Sequence, residues 1–170
     1  LAIRNRALEE AKAVTTISPW HVEVLRQRNP HVHLIYNGYD PELFAPRTVR
    51  TPQFRVTYTG RLLSTAMRNP ELLLRAVARL AAEGEITPET FRIRWFTDAA
   101  SRRIIEQEAT RYACTPFMDY PGMVPATAVP DVLNESSVLL LLTNRAAPDG
   151  PQGIMTTKFF EALAVEKPIL

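Results

Sequence analysis

From Phe54 onward the sequence alternates strand-like and helix-like segments at least four times. This alternation constrains the fold more than any other feature of the chain. Parallel strands need long crossover connections, helices fill those connections, and the crossovers are right-handed. The pattern therefore predicts an α/β fold built on a parallel sheet with helices on both faces.

Local chemistry marks the segments. Phe54 to Thr59 is a strand that ends at Gly60. Asn69-Pro70-Glu71 supplies a cap followed by a proline, and Leu72, Leu73, Ala76, Val77 and Leu80 follow at helical spacing, with Arg75 and Arg79 on the opposite face. Phe91 to Phe96 is the next strand, and Asp98 can cap a helix from Ala99 to Tyr112. Thr115 to Met118 reads as a short strand before Pro121-Gly122. Thr127 can cap a helix to Glu135, since Pro130 then falls in the first turn, where a missing N–H costs little. Ser137 to Leu142 is the clearest buried strand. A loop from Thr143 to Gly153 leads to a helix from Thr156 to Val165, and Pro168-Ile169-Leu170 reads as the opening of another strand.

The first third is less regular. Leu1 to Lys12 is helix-like, and Ala13 to Ile17 is a short apolar, β-branched run. Ser18-Pro19 gives a cap and first-turn proline for a helix through Arg28. Val32 to Tyr36 is a strand closed by the turn pair Asn37-Gly38, and Asp40 to Pro46 is a loop or a single turn.

Composition excludes several classes. A chain of 170 residues favours one domain of roughly 100–200 residues. Its hydrophobic fraction of 46%, against 22% charged, argues for a soluble globular protein rather than disorder. The best apolar run, Val138 to Leu142, falls far short of the roughly 18 residues of a membrane span. One cysteine cannot form an internal disulfide. A net charge of +2, with no basic cluster interleaved with aromatics, gives nucleic-acid binding no support. Leu1 to Lys12 is charged throughout and is no signal peptide, so the expected location is cytoplasmic. The absent initial methionine and the strand-like C-terminus suggest a piece of a larger protein, and the small net charge leaves any peripheral membrane contact of that protein open.

In open parallel sheets ligands sit outside the carboxyl ends of the strands. The loops Gly60–Asn69, Thr97–Ser101, Asp119–Thr127 and Thr143–Thr156 are therefore the candidates. In the last of these, Asp149-Gly150-Pro151-Gln152-Gly153 runs from a buried strand into a helix, whose first free amides suit phosphate oxygens. Lys158 could reach such a phosphate from that helix. Glu161, three positions on, could accept hydrogen bonds from a ribose diol. A surface ion pair worth under about 1 kcal/mol explains the same two residues equally well. The loop is not a Walker A sequence, and G-x-G-x-x-G is absent.

The second candidate is Gly60-Arg61 to Arg68. The glycine permits close approach, and two guanidiniums there could hold a diphosphate through paired N–H bonds. Solvated loop arginines are the plainer reading. Cys114 reads as a small packed residue, and Trp20 and Trp95 read as core or interface packing. His21, His31 and His33 have no zinc spacing. No D-x-D pair occurs, so a metal bridging a diphosphate has no obvious ligands, and no Ser/His/Asp arrangement can be assigned.

Ala13-Val14-Thr15-Thr16-Ile17-Ser18, then Val32 to Ile35 with Tyr36-Asn37-Gly38-Tyr39-Asp40, then Phe44-Ala45-Pro46, resemble the linker into the C-terminal domain of family-4 glycosyltransferases with the GT-B fold. Tyr58-Thr59-Gly60-Arg61 followed by Asn69 to Leu80 looks like the family's G-R and leucine-rich helix. Tyr120 to Leu142 resembles the middle of that domain. Gly153…Thr157-Lys158-Phe159-Phe160-Glu161-Ala162-Leu163-Ala164 with Lys167-Pro168-Ile169 resembles its K-x-x-E-A-x-A-x-x-K-P ending. The resemblance spans nearly the whole chain.

The resemblance implies a Rossmann-like donor domain at 47–170, incomplete at its end, with 1–46 closing the acceptor domain and forming the linker. Glu161 would bind the ribose of a nucleoside-diphosphate sugar, as the second glutamate of the family's E-x7-E motif. Lys158 and the amides of Gly153 and Ile154 would lie near the diphosphate or sugar. Arg61, after Gly60, would meet the leaving diphosphate. The partner lysine of the family falls here at Ala66, and Arg68 is the nearest basic residue. The first glutamate of the motif falls at Gly153, with Asp149 the nearest acid in the loop, and Trp95-Phe96-Thr97-Asp98 stands where the family often has glycines. The implied reaction is metal-independent glycosyl transfer with retention. It needs no cofactor beyond the sugar nucleotide and has the missing acceptor domain as partner. A sugar-nucleotide epimerase of the same fold would need catalytic acids and a histidine that are not recognisable. Gly153 favours a third reading, a scaffold that has lost its site and serves as an interaction domain.

Overall fold

The computed structural model describes residues 2–145 and 150–170. The chain divides into two compact units, Leu1–Tyr39 with Ala146–Glu161, and Asp40–Arg145 with Ala162–Leu170.

The first unit contains α1 (Ala2–Glu10), β1 (Val14–Thr16), α2 (Pro19–Arg26) and β2 (Val32–Leu34). The two strands pair in parallel, with Val14 opposite Val32 and Thr16 opposite Leu34. Ser18 caps α2 by accepting from the His21 amide at 3.3 Å, and Pro19 occupies the first turn. That agrees with the Ser-Pro signal. Asn29 is buried and explains how the two halves of this unit join. Its Nδ2 donates to the carbonyls of Leu8 and Ala11, both at 2.8 Å, while its Oδ1 accepts from the His31 amide at 2.8 Å. One side-chain amide thus satisfies three backbone groups.

The second unit is the parallel sheet that the alternation predicts. Its elements are β3 (Phe54–Thr59), α3 (Glu71–Ala82), β4 (Phe91–Phe96), α4 (Ala99–Arg111), β5 (Met118–Asp119), α5 (Val129–Asn134) and β6 (Val138–Leu139). The strand order is β5-β4-β3-β6, every pair parallel. Helix α6 (Thr157–Ala164) follows, and its last residues belong to this unit. Beyond it the chain returns to the sheet. Ile169 bridges Leu139, the Leu139 amide donates to the Pro168 carbonyl at 2.8 Å, and the Leu141 amide donates to the Leu170 carbonyl at 2.9 Å.

Side-chain alternation along each strand fills two layers. On one face Val56, Tyr58, Ile93, Trp95 and Leu140 pack with Leu74 and Val77 of α3 and Ile105 and Ala109 of α4. On the other, Leu139 packs with Leu133 of α5 and Ala162 and Val165 of α6 and its end. The helices therefore cover both faces. Thr57 lies on the second face and would be a buried orphan there, but it meets the Ser136 hydroxyl at 2.7 Å.

Three local expectations are corrected. Thr115–Phe117 is a turn of 3₁₀ helix and the strand begins only at Met118, because Pro116 fixes a helical φ and brings no amide to a ladder. Thr127 does not cap α5; it lies inside a 3₁₀ turn, Ala126–Ala128, that runs into the helix without a side-chain cap. Finally, α3 buries Leu74 and Val77, whereas Leu72 is 81% exposed. Positions two apart on a helix differ by about 200° in direction, so a stripe centred on Leu74 turns Leu72 to solvent. Cys114 and Trp95 are fully buried, as the packing reading expects, and burial pushes the Cys114 thiol pKa up.

Candidate functional site

In sequence order the sheet of the second unit runs third, second, first, fourth. The chain therefore leaves β3 toward one edge and β6 toward the other. The crevice outside the carboxyl ends of those two adjacent strands is a topological switch point, where open parallel sheets bind ligands. Two loops enter it, the one after β3 and the one after β6.

The loop after β3 is fixed atom by atom. Gly60 has φ 127°, a conformation that glycine adopts freely, and its amide still donates to the Phe96 carbonyl at 2.9 Å, extending the ladder by one residue. Arg61 turns out of the sheet. Its carbonyl accepts from the hydroxyl of buried Tyr58 at 2.8 Å and from Nη1 of Arg68. Its exposed guanidinium pairs with Asp98, Nε to Oδ2 at 3.1 Å. The Leu62 amide donates to the buried Ser101 hydroxyl at 2.9 Å, and the Leu62 side chain is fully buried. Leu62 thus nails the loop to the first turn of α4.

Asp98 has two tasks. Its Oδ1 caps α4 by accepting from the Ser101 amide at 2.8 Å, as the sequence suggests, and its Oδ2 holds Arg61. The amide and hydroxyl of Ser101, and then the Arg61 guanidinium, hold its carboxyl below the usual aspartate range. Sequence reasoning found the cap but missed the ion pair, which joins positions 37 residues apart and leaves no local signal.

Arg68 is placed differently from Arg61. Its Nε donates to Asn144 Oδ1 at 2.8 Å, its Nη1 to the Arg61 carbonyl, and the Arg145 amide donates to the Met67 carbonyl at 2.7 Å. The two switch-point loops are therefore bonded to each other. Asn144 was not among the sequence candidates.

At the same ends of β4 and β5, Thr97 Oγ1 and the Tyr120 hydroxyl are buried without a hydrogen-bond partner. Burial pushes the Tyr120 phenol up to about 12, and Arg102 lies over its ring at 4.8 Å. Among the described residues no three His, Cys, Asp or Glu side chains group as metal ligands.

The remaining sequence candidates lie in the first unit. Gly153 has φ 65°, in the left-handed region that disfavours any residue with a Cβ. A physical reason thus exists for glycine at the position where the resemblance would place an acid. The Met155 carbonyl accepts from Asn37 Nδ2 at 3.0 Å, tying Asn37 to the segment before α6. Ile154 is exposed, and Lys158 and Glu161 occupy half-buried positions one turn apart on α6. Asp149 lies outside the described residues.

Comparison with known proteins agrees with this architecture. No family model matches the chain, and no curated protein matches it in sequence. Solved structures do match it in fold, and they are GT-B glycosyltransferases. Sucrose-phosphate synthase from Thermosynechococcus elongatus superposes with a TM-score of 0.72 at 19% identity, over 99% of this chain and 42% of that one. Anabaena Alr3699/HepE, solved in complex with UDP, gives 0.68 at 19% identity, over 97% and 46%. The C-terminal domain of LpcC, a glycosyl transferase group 1 family protein from Francisella tularensis, gives 0.51 at 13% identity, over 78% and 69%. The chain thus has an α/β fold of the GT-B type and spans under half the length of the first two. Among the described residues no helix is long and apolar enough to cross a membrane.

Proposed function

We propose that this chain is the donor-binding half of a glycosyltransferase that uses a nucleoside-diphosphate sugar. In this reading residues 47–170 form the donor domain, and residues 1–46 close the acceptor domain and form the linker. The observation that carries the proposal is the switch-point crevice, where Gly60 opens the backbone and Arg61 stands fixed by its own carbonyl and by Asp98. Solved structures of this fold that hold UDP, such as HepE, support the choice of ligand class.

The chemistry follows from charge. As the anomeric C–O bond breaks, its electron pair passes to the diphosphate oxygen, the acceptor hydroxyl oxygen forms the new bond to the anomeric carbon on the same face, and the hydroxyl proton passes to the departing diphosphate. Negative charge grows on the diphosphate, and a cation already held in place stabilises it more in the transition state than in the ground state. Arg61 is that cation. The roles that the family resemblance implies complete the proposal: Glu161 accepts from the ribose hydroxyls, and Lys158 with the Gly153 and Ile154 amides serves the diphosphate or sugar. Reaction without metal is part of the reading because the sequence offers no D-x-D pair to bridge a diphosphate.

Calorimetric titration with UDP and GDP, with and without magnesium, tests this. The expected result is binding of one diphosphate, unchanged by magnesium and weakened about ten-fold or more by Arg61→Ala, since a charge-assisted bond to phosphate is lost. Glu161→Ala should weaken UDP but not inorganic pyrophosphate. A folded chain that binds neither nucleotide contradicts the proposal and returns the fold to the role of an interaction scaffold.

A further inference from the structure

We infer that Arg68 and Asn144 form a latch across the switch point, which positions Arg61 rather than adding a second cation to the diphosphate. The inference deepens the donor-binding reading and rests on it for its ligand readout. Arg68 Nε is engaged by Asn144 Oδ1 at 2.8 Å, and Nη1 by the Arg61 carbonyl, with the Tyr58 hydroxyl at 3.5 Å. A guanidinium offers its donors in a rigid planar fork, so bonds along Nε and Nη1 fix the orientation of the whole group.

The geometry around it is that of a clasp. The Met67 and Arg68 amides both donate to the Ser64 carbonyl, at 3.2 and 2.9 Å, which folds the loop back on itself. The Met67 carbonyl is then presented to the Arg145 amide at 2.7 Å, beside the Arg68–Asn144 bond. Two bonds thus close the gap between the loops at one point. The Arg61 carbonyl accepts from both Tyr58 and Arg68. Without Arg68 the backbone of Arg61 is held on one side only, and its side chain keeps only the exposed pair with Asp98. A lysine at this position would have to reach both acceptors from one nitrogen, without the rigid planar spacing between Nε and Nη1.

The test uses this chain with Arg68→Ala, Asn144→Ala, the double variant and Asn144→Asp, each titrated with UDP and followed by amide hydrogen exchange. A latch predicts that either single variant weakens UDP binding about three- to ten-fold, the worth of one hydrogen bond, and that the double variant is no weaker. It also predicts that the Arg145 amide loses protection by a similar factor in both single variants and keeps it in Asn144→Asp. The Leu140 amide, bonded to Thr57 within the sheet, keeps its protection in all of them and shows that the fold is intact. The inference is overturned if Arg68→Ala weakens UDP while Asn144→Ala leaves both UDP binding and Arg145 protection at the wild-type level, since Arg68 is then a direct ligand. If the wild-type chain binds neither UDP nor GDP, the donor reading fails by itself. The latch is then decided by exchange alone: lost Arg145 protection in both variants supports it, and unchanged protection refutes it.

Discussion

At the residue scale, Asp98 shows how one side chain serves helix and site together. Its carboxylate is held below the usual aspartate range by the Ser101 amide first and the Arg61 guanidinium after it. A group whose pKa is depressed on folding contributes stability that is present above its unfolded pKa and lost as pH falls through the folded value. Asp98→Asn keeps an oxygen for the Ser101 amide but has no charge for Arg61. The variant is therefore expected to melt below wild type near neutral pH, and the gap should close on acidification between about pH 5 and pH 2. Thermal melts of the two proteins across that range check this. A gap that stays constant with pH would mean that the charge on Asp98 contributes nothing. Gly153 carries a different residue-scale lesson. Restoring the acid that the resemblance would place there means forcing a Cβ into a left-handed backbone, so the departure from the family pattern is written into the conformation.

At the scale of elements, the buried stripe of α3 makes a sharp comparison. Leu74 is fully buried against the sheet and Leu72 is exposed, although both are leucines in the same turn. Leu74→Ala should cost about 2–5 kcal/mol by urea denaturation, whereas Leu72→Ala should stay within about 0.5 kcal/mol. Equal losses would show that the helix packs in another rotation. The comparison also shows what was legible beforehand. β3 and β4 were readable to the residue because β-branched and aromatic runs ended at a glycine and at a capping aspartate. The α4 start was readable because Asp98 caps it through its own neighbour. The rotation of α3 was not, because a run of three leucines fits more than one stripe and only the sheet beneath it selects one. The start of β5 is not legible, because Pro116 suits a strand edge and a 3₁₀ turn alike. Within the site, Gly60 and Arg61 stood out by position alone. Asp98 as an ion-pair partner and Asn144 as a latch partner did not, since parallel crossovers bring together residues 37 and 76 positions apart.

At the scale of the molecule, the chain spans under half of the solved sucrose-phosphate synthase and HepE chains that it matches. The proposed reaction needs two things at the anomeric carbon: a leaving diphosphate whose charge is stabilised, and an acceptor oxygen delivered while water is kept away. On the proposed reading, Arg61 serves the first of these. Binding a donor without an acceptor beside it lowers the ground state and the transition state together, which gives affinity and no rate. A net charge of +2 adds little long-range field, so affinity should come from local donors such as Arg61 and respond only modestly to salt. On the proposed reading, the chain by itself is therefore expected to bind a nucleoside-diphosphate sugar and to release no nucleoside diphosphate above the rate in buffer. A coupled UDP-release assay, run on the sample used for titration, measures both properties on one preparation. Sustained release by the isolated chain would mean that an acceptor or water is activated by residues present here, and the division of labour between donor and acceptor halves would have to be redrawn. Binding without release is what a donor half must do if transfer waits on a second surface.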